Sequence, residues 1–378
     1  MATIRITAAM PDAEATARAV RQADYMRGVR AKETADRARR LKRLEQREAG
    51  IREACKAYNH TMSRDDRMSL ATLVIREPFI LCDPPRSLPV HDPEDDGPAP
   101  PEDVATRPAM TQLVHRRTDA LAFYLTALWD AQTSTQPGDA YTAAWPLYDA
   151  AVGWDRMFGW RHLDMPKRDK QVRLQRILLE LAARDLVGLA STRTPGRYEN
   201  FTLLTDGRGV KRYRVPKHDA TITVPAELVT NGWHLVLTPP EIVVMLMLLA
   251  AAQRYRTAHH GPDGVGVAPR IRREVYGVTP EVYEAHNELW EFGLIERVDS
   301  VPGRRRGRVA PPGPGEEPLV TFGFRIKPDV FTKPAYDIVH IALSRPGEGR
   351  HSDFARPVGV LPDATTEARL RALEAPSR

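Results

Sequence analysis

A tight turn between two short helical segments near residue 278 constrains the fold more than any other feature of this sequence. The segment "PRIRREVYG" ends at Gly277, which suits the left-handed conformation that closes many helices. A Thr-Pro pair at Pro280 follows almost at once and is typical of a helix start. Gly293 predicts the end of that helix, and apolar segments at 294–300 and 319–326 predict a β-hairpin after it.

A strongly apolar helix is predicted just before this turn. Thr238 can cap its start and Glu241 completes a capping box, with a proline in the first turn. The apolar run at 242–252 is about half of the roughly 20 residues that a membrane span needs. The run therefore predicts a buried helix, and a membrane is not expected among the partners.

An earlier stretch of the chain repeats this plan. Helices are predicted at about 118–132, 145–154 and 167–184. Two short apolar segments, 186–192 and 200–205, then flank a Pro-Gly turn and predict a hairpin. The order of helix, helix, turn, helix and hairpin therefore occurs twice.

In this order of elements, the chain resembles the winged-helix and helix-turn-helix DNA-binding superfamily. The tandem arrangement resembles plasmid replication initiators of the two-winged-helix type and some helix-turn-helix regulators. The likeness covers about residues 111–333. It implies a mainly α fold with short β-hairpins (α+β), built from a first module at 111–220 and a second module at 221–345. A dimer is a further expectation.

The segment before the two modules is predicted to form a basic helical arm, residues 1–81. Residues 1–58 hold fourteen Lys and Arg against eight Asp and Glu, and this local excess equals the net charge of +6 of the whole chain. These bases fit either a solvated helix face or contact with phosphates, and a pairing helix also remains open. An acidic, proline-rich linker at 82–110 separates the arm from the modules, and a tail follows at 346–378.

The third helix of the first module carries the residues expected to read DNA. Its apolar positions share one face and predict a stripe turned toward the core, namely Leu174, Ile177, Leu178 and Leu181. Arg can fork onto guanine and Gln onto adenine from the first half of such a helix. The candidate DNA-binding residues there are Lys167, Arg168, Lys170, Gln171, Arg173 and Arg176.

Basic residues near the following hairpin are expected to anchor the DNA backbone. Seven Lys and Arg face one Glu and one Asp between residues 193 and 217. Such residues add affinity without reading sequence. The candidates are Arg193, Arg197, Lys211 and Arg212, while Tyr198 and Tyr213 are expected to pack the hairpin.

The helix at 279–292 of the second module is acidic, so it is not expected to lie against phosphates. It predicts a contact with another protein or with a second copy of the chain, through Glu284, Asn287, Glu288 and Glu291. The long loop after it holds four arginines, which suit either a DNA groove or a flexible solubilising loop. These are Arg304, Arg305, Arg306 and Arg308.

No motif of a common enzyme class occurs, and no cofactor or metal site is expected. His259 and His260 have no third ligand nearby, and the two cysteines lack metal-ligand spacing. No secretory signal is visible, so a cytoplasmic, nucleoid-associated protein is expected. The sequence predicts binding of double-stranded DNA, first for regulation of transcription. Plasmid replication initiation and a DNA-associated structural or partitioning adaptor are the alternatives.

Overall fold

In the computed structural model, helices predominate and the strands form small antiparallel sheets, as expected for the α+β class. The structure describes most of the two predicted modules and the second half of the predicted arm. The described residues are 31–63, 67–82, 107–114, 119–141, 145–147, 153–206, 210–254, 264–298 and 323–345.

The N-terminal part of the described chain forms four helices and one strand. Helix α1 covers residues 31–45, and α2 (Glu48–Met62) follows after a two-residue turn. Strand β1 (Thr72–Arg76) leads directly into the single turn of α3 (Glu77–Ile80). Helix α4 (Ala109–Gln112) is also a single turn.

This N-terminal segment differs from the predicted arm, because it is part of the core. Ile51, Ala54 and Tyr58 of α2 are fully or almost fully buried. Gly50 lies so close to the Gly159 backbone that a Cβ atom at residue 50 would overlap it, which explains the need for glycine. The sequence could not reveal this docking, since it depends on surfaces that are distant in the chain.

Five elements build the first module. Helix α5 (Ala120–Ser134) is buried on all sides, whereas α6 (Trp154–Met157) is a single turn. Helix α7 (Lys167–Ala182) is followed by β2 (Val187–Gly188) and β3 (Thr202–Leu203), which pair antiparallel. The hairpin is confirmed. The helix expected at 145–154 is not, because only its last residue is helical among the described ones.

The second module begins with β4 (Thr221–Pro225), which pairs antiparallel with β1. Two single turns follow, α8 (Glu227–Thr230) and α9 (Trp233–Val236), before the apolar helix α10 (Pro239–Arg254). The capping box is present in part, since the Glu241 carboxylate accepts the Thr238 backbone N–H at 2.8 Å. Residues 241–251 of α10 are all buried, so the predicted buried helix is confirmed.

Helix α11 (Pro269–Tyr276) ends at Gly277 with φ 63°, as the sequence predicts. The acidic helix expected at 279–292 is instead two short helices, α12 (Pro280–Tyr283) and α13 (His286–Glu291). Residues 284 and 285 form the turn between them.

Strands β5 (Ile295–Val298) and β6 (Gly323–Ile326) form the expected hairpin, and Val265 bridges to Phe324 on its other edge. Helices α14 (Pro328–Phe331) and α15 (Ala335–Ser344) complete the described chain.

The buried apolar side chains of both modules and of the N-terminal segment form one connected core. Tyr58 of α2 lies at its centre: its ring contacts Trp129 edge-on, with centroids 5.0 Å apart, and also faces His234. Tyr58 thus joins a residue of each module. The N-terminal segment holds the two modules together, through α2 and through β1, which pairs with β4 of the second module and bonds to Gln132 of the first.

Candidate nucleic-acid interface

Helix α7 is placed by its apolar stripe. Leu174, Ile177, Leu178 and Leu181 have no exposed surface, which confirms the predicted stripe. Because that face is fixed against the core, the opposite face of the helix must meet solvent. Three of the six predicted DNA-binding residues are exposed: Arg168 and Arg176 point away from the stripe, and Lys167 lies on the stripe's side in the first turn, where the helix begins.

The other three predicted residues of α7 are partly buried, and two of them are held by the chain itself. The Arg173 guanidinium donates to Asp119 Oδ2 at 2.7 Å and lies 4.6 Å from the centre of the Trp160 ring. The Lys170 ammonium donates to the Arg161 carbonyl oxygen at 3.1 Å. One terminal nitrogen of Arg173 is engaged in this way while its side chain is 40% exposed, so the expectation that Arg173 forks onto a guanine stays a prediction. Gln171 is partly buried as well.

The connection between β2 and β3 contains the predicted Pro-Gly turn. Gly196 has φ 66° and its carbonyl oxygen accepts the Glu199 N–H at 2.9 Å. Arg193 is exposed, whereas the Arg197 guanidinium lies over the Tyr198 ring at 5.4 Å from its centre. Of these two arginines, only Arg193 projects without a ring to hold it.

Residues 211–217 form a third strand-like segment beside β3, here called the basic strand. Arg212 bridges to Leu204 of the hairpin, and Arg214 bridges to Ala140 on the other edge. Tyr213 is fully buried, as expected for a packing residue. Because neighbouring residues of a strand point to opposite faces, Arg212 and Arg214 project outward from the sheet. Both are exposed, and so are Lys211 and Lys217 at its ends.

Sequence reasoning missed a second group of bases, in the loop that leads into α7. Glu53 of α2 forms ion pairs with Arg156 at 3.0 Å and with Arg161 at 3.5 Å, and its carboxylate is hydrogen-bonded to His162 Nε2 at 2.5 Å. The adjacent Arg and His just before the start of α7 were the available signal. Because Glu53 partly neutralises these bases, they attract a polyanion less strongly.

The acidic side of the second module faces α1 of the same chain. Glu291 accepts from Arg37 at 2.8 Å, and Glu241 accepts from both terminal nitrogens of Arg40 at 2.5 and 2.8 Å. Burial alone disfavours the Arg40 charge, but the attraction of Glu241 outweighs it and raises the Arg40 pKa; Glu288 contributes less. The predicted protein contact at Glu291 is therefore made within the chain.

Helices α12 and α13 each carry an aromatic ring that lies against an arginine of a neighbouring element, α11 or β5. The sequence alone had not pointed to these contacts. The Arg272 guanidinium lies 3.5 Å from the centre of the Tyr283 ring, and that of Arg297 lies 4.4 Å from the centre of the Trp290 ring. Arg297 also donates to the Asn287 side-chain oxygen. The predicted contact residue Asn287 is thus held by its own module, while Glu284 is exposed.

Several predicted features lie outside the described residues. They include the wing arginines Arg304, Arg305, Arg306 and Arg308, both loop histidines, most of the linker and the tail. Within the described ranges, no three His, Cys, Asp or Glu side chains are grouped so that they could hold a metal ion. No helix there has the length and apolarity needed to cross a membrane.

Comparison with known proteins adds no assignment. Neither a family model, nor a curated protein, nor a solved structure matches this chain. The case for a function therefore rests on the residues and geometry described above.

Proposed function

We propose that this protein binds double-stranded DNA through its first module and acts as a regulator of transcription. One observation carries the proposal: α7 turns a complete apolar stripe to the core and leaves Lys167, Arg168 and Arg176 exposed beside a sheet with its own outward bases. Regularly placed cations next to a hairpin suit the negative phosphates of a duplex.

The order of elements supports the same proposal. In the first module α5 and α6 precede α7 and a β-hairpin, and in the second α10 and α11 precede the pair α12 and α13 and a β-hairpin. The second module has the left-handed turn at Gly277 between α11 and α12. This is the arrangement on which the resemblance to tandem winged-helix proteins rests. In such modules, the helix before the hairpin is the one that approaches the groove.

The two ends of α7 would contribute differently. The exposed bases Lys167 and Arg168 stand in its first turn, next to the hydrogen-bonded Lys170. Arg176 projects two turns further along. A groove-bound helix would use its first half for base edges, so readout rests on Lys167, Arg168 and Gln171, while Arg176 suits a phosphate.

A matched pair of triple variants tests the proposal. Lys167→Ala/Arg168→Ala/Arg176→Ala removes three charges from α7, and Arg39→Ala/Lys42→Ala/Lys333→Ala removes three exposed or partly exposed charges from elements packed on the second module. Fluorescence anisotropy of a labelled duplex is measured between low and high salt. We expect the α7 variant to lower the slope of log affinity against log salt by about 1 or more, since each phosphate contact contributes roughly 0.9 and Arg176 supplies one.

The control variant should keep most of the wild-type slope. Equal losses in both variants would mean that only net charge attracts DNA, and the α7 surface would be ruled out as the interface. Duplexes selected from random sequence pools complete the test. A regulator must prefer a selected duplex over a random one by about a thousandfold or more, so equal affinity for both would exclude that use.

A further inference from the structure

Arg76, the last residue of β1, bonds to both flanks of the basic strand. Its backbone N–H donates to Asp206 Oδ2 at 2.7 Å, and its guanidinium also bonds to this carboxylate. One terminal nitrogen donates to the Arg214 carbonyl oxygen at 2.7 Å and to Asp219 Oδ2 at 3.1 Å. The guanidinium also lies 5.2 Å from the centre of the Tyr213 ring. Arg76 thus contacts the chain before, within and after the basic strand.

The cluster around Arg76 is buried, and burial makes its ion pair with Asp206 costly to break. The Asp206 side chain has no exposed surface and that of Arg76 is only 11% exposed. Removing one partner of a buried ion pair leaves the other charge without compensation, which is strongly unfavourable. The planar guanidinium engages separate acceptors with fixed geometry, which an ammonium group cannot reproduce. The position of Arg76 therefore determines where Asp206 and the Arg214 backbone lie.

The contacts of Arg76 also set which way the basic strand faces. With Tyr213 beneath the Arg76 guanidinium and Val215 also buried, the neighbouring Arg212 and Arg214 must face solvent. The backbone of the strand is hydrogen-bonded on both edges, to residues 203 and 205 and to residues 138–141. Arg76 adds side-chain bonds to the Arg214 carbonyl oxygen and to acids on both flanks, which join the strand to β1.

We infer that Arg76 is a positioning residue that holds the basic strand against the DNA backbone. In this arrangement Lys211, Arg212, Arg214 and Lys217 contact phosphates, and Arg76 itself does not touch DNA. The inference rests on the proposed function. It adds to it a phosphate-binding surface on the outer face of the sheet, whose geometry depends on a residue that precedes the first module.

Arg67 offers a matched control within the same molecule. It forms an equally buried pair with Asp130, at 2.7 Å, and lies over the Trp145 ring at 5.6 Å from its centre. Its partner Asp130 also bonds to the Tyr141 hydroxyl. The two clusters are alike in chemistry and burial, but the bonds of Arg67 are with α5 and not with the basic strand. A general loss of stability would act through both.

The experiment compares Arg76→Lys with Arg67→Lys, which both keep the net charge. Each variant is first checked for folding by circular dichroism, and then its affinity for a random-sequence duplex is measured across a salt series. We expect Arg76→Lys to lower the salt slope by about 1, the loss of roughly one phosphate contact, and Arg67→Lys to leave it unchanged. In the Lys211→Ala/Arg212→Ala background, Arg76→Lys should have little further effect, because its action depends on those residues.

Each other outcome has a distinct meaning. If the wild type binds no duplex, the proposed function fails. If the wild type binds but Arg76→Lys keeps its slope, or Arg67→Lys loses as much, the role of Arg76 is overturned and the proposed function stands. Should Arg76→Lys not fold, Asp219→Ala takes its place, since the Asp219 side chain is 47% exposed. Removing an acid, if charge alone mattered, would strengthen DNA binding. A smaller slope of log affinity against log salt in Asp219→Ala therefore supports the positioning role of Arg76, and a larger slope contradicts it.

Discussion

At the scale of single residues, the arginines of the N-terminal segment are bound to carboxylates far along the chain. Arg37, Arg40, Arg52, Arg67 and Arg76 pair with acids that lie between 63 and 285 residues later. The clustered positive charge of this segment suggested a polyanion partner. Three of its fourteen bases, Arg37, Arg40 and Arg52, are instead paired with acids of the second module, and Arg67 and Arg76 further along pair with acids of the first.

A buried histidine makes stability depend on pH. The Nδ1 atom of His234 lies 3.1 Å from the Leu228 carbonyl oxygen, and Nε2 lies 3.2 Å from the Tyr58 hydroxyl. Burial lowers the His234 pKa from 6.5 to about 3. Between these values the unfolded chain takes up a proton that the folded chain refuses, so the free energy of unfolding falls as the pH is lowered.

We therefore expect His234→Gln to flatten the acid side of the stability profile. Urea unfolding at pH 7.5 and pH 5.0 should show that the wild type loses about 2 kcal/mol more than the variant over this interval. His60→Gln, at an exposed position, should follow the wild type. Parallel profiles for wild type and His234→Gln would mean that His234 is protonated in the folded state, contrary to its burial.

At the scale of elements, the sequence predicted the helices that local patterns define. Helices α7 and α10 have a continuous apolar face or run with a clear start, and α11 has its left-handed end at Gly277. The pairing of β1 with β4 was missed, because 144 residues separate the end of one strand from the start of the other and neither strand specifies its partner. The basic strand was missed because one of its two bonded edges is formed by residues 138–141, far earlier in the chain.

Of the candidate interface, the sequence likewise predicted the part that local spacing defines. The burial of the α7 stripe follows from spacing alone, and with it the exposure of Arg168 and Arg176. The engagement of Arg173 by Asp119 and Trp160 depends on three separate segments meeting in space. No local pattern carries that information.

The docking of α1 can be tested with two neighbouring arginines. Arg40 is 18% exposed and pairs with Glu241, which is 2% exposed, whereas Arg39 is 71% exposed and pairs with Asp36 on its own helix. Arg40→Ala leaves a buried carboxylate with less compensation and should lower the free energy of unfolding by about 3 kcal/mol. Arg39→Ala should change it by less than about 0.5 kcal/mol. Equal, small effects in denaturant unfolding would restore the view of α1 as a free arm.

At the scale of the whole molecule, the two modules share one core. Tyr58 contacts Trp129 of the first module and His234 of the second, and β1 of the N-terminal segment pairs with β4. Domains that bury little surface against each other unfold separately, whereas a continuous core couples them. The two hairpins are therefore held at a fixed separation, which suits a protein that contacts one face of a duplex at two places.

Shared packing predicts a single unfolding transition for the described fold. Leu174 lies in the first module and Leu289 in the second, and both are fully buried. Leu→Ala at either site removes core contacts worth roughly 2–5 kcal/mol. We expect each variant to lower the same calorimetric transition, with tryptophan fluorescence and circular dichroism changing together. Leu179→Ala, on the exposed side of α7 at 43% exposure, should leave the transition nearly unchanged. Two transitions, each shifted by only one of the core variants, would show that the modules fold independently and that the core does not fix the separation of their hairpins.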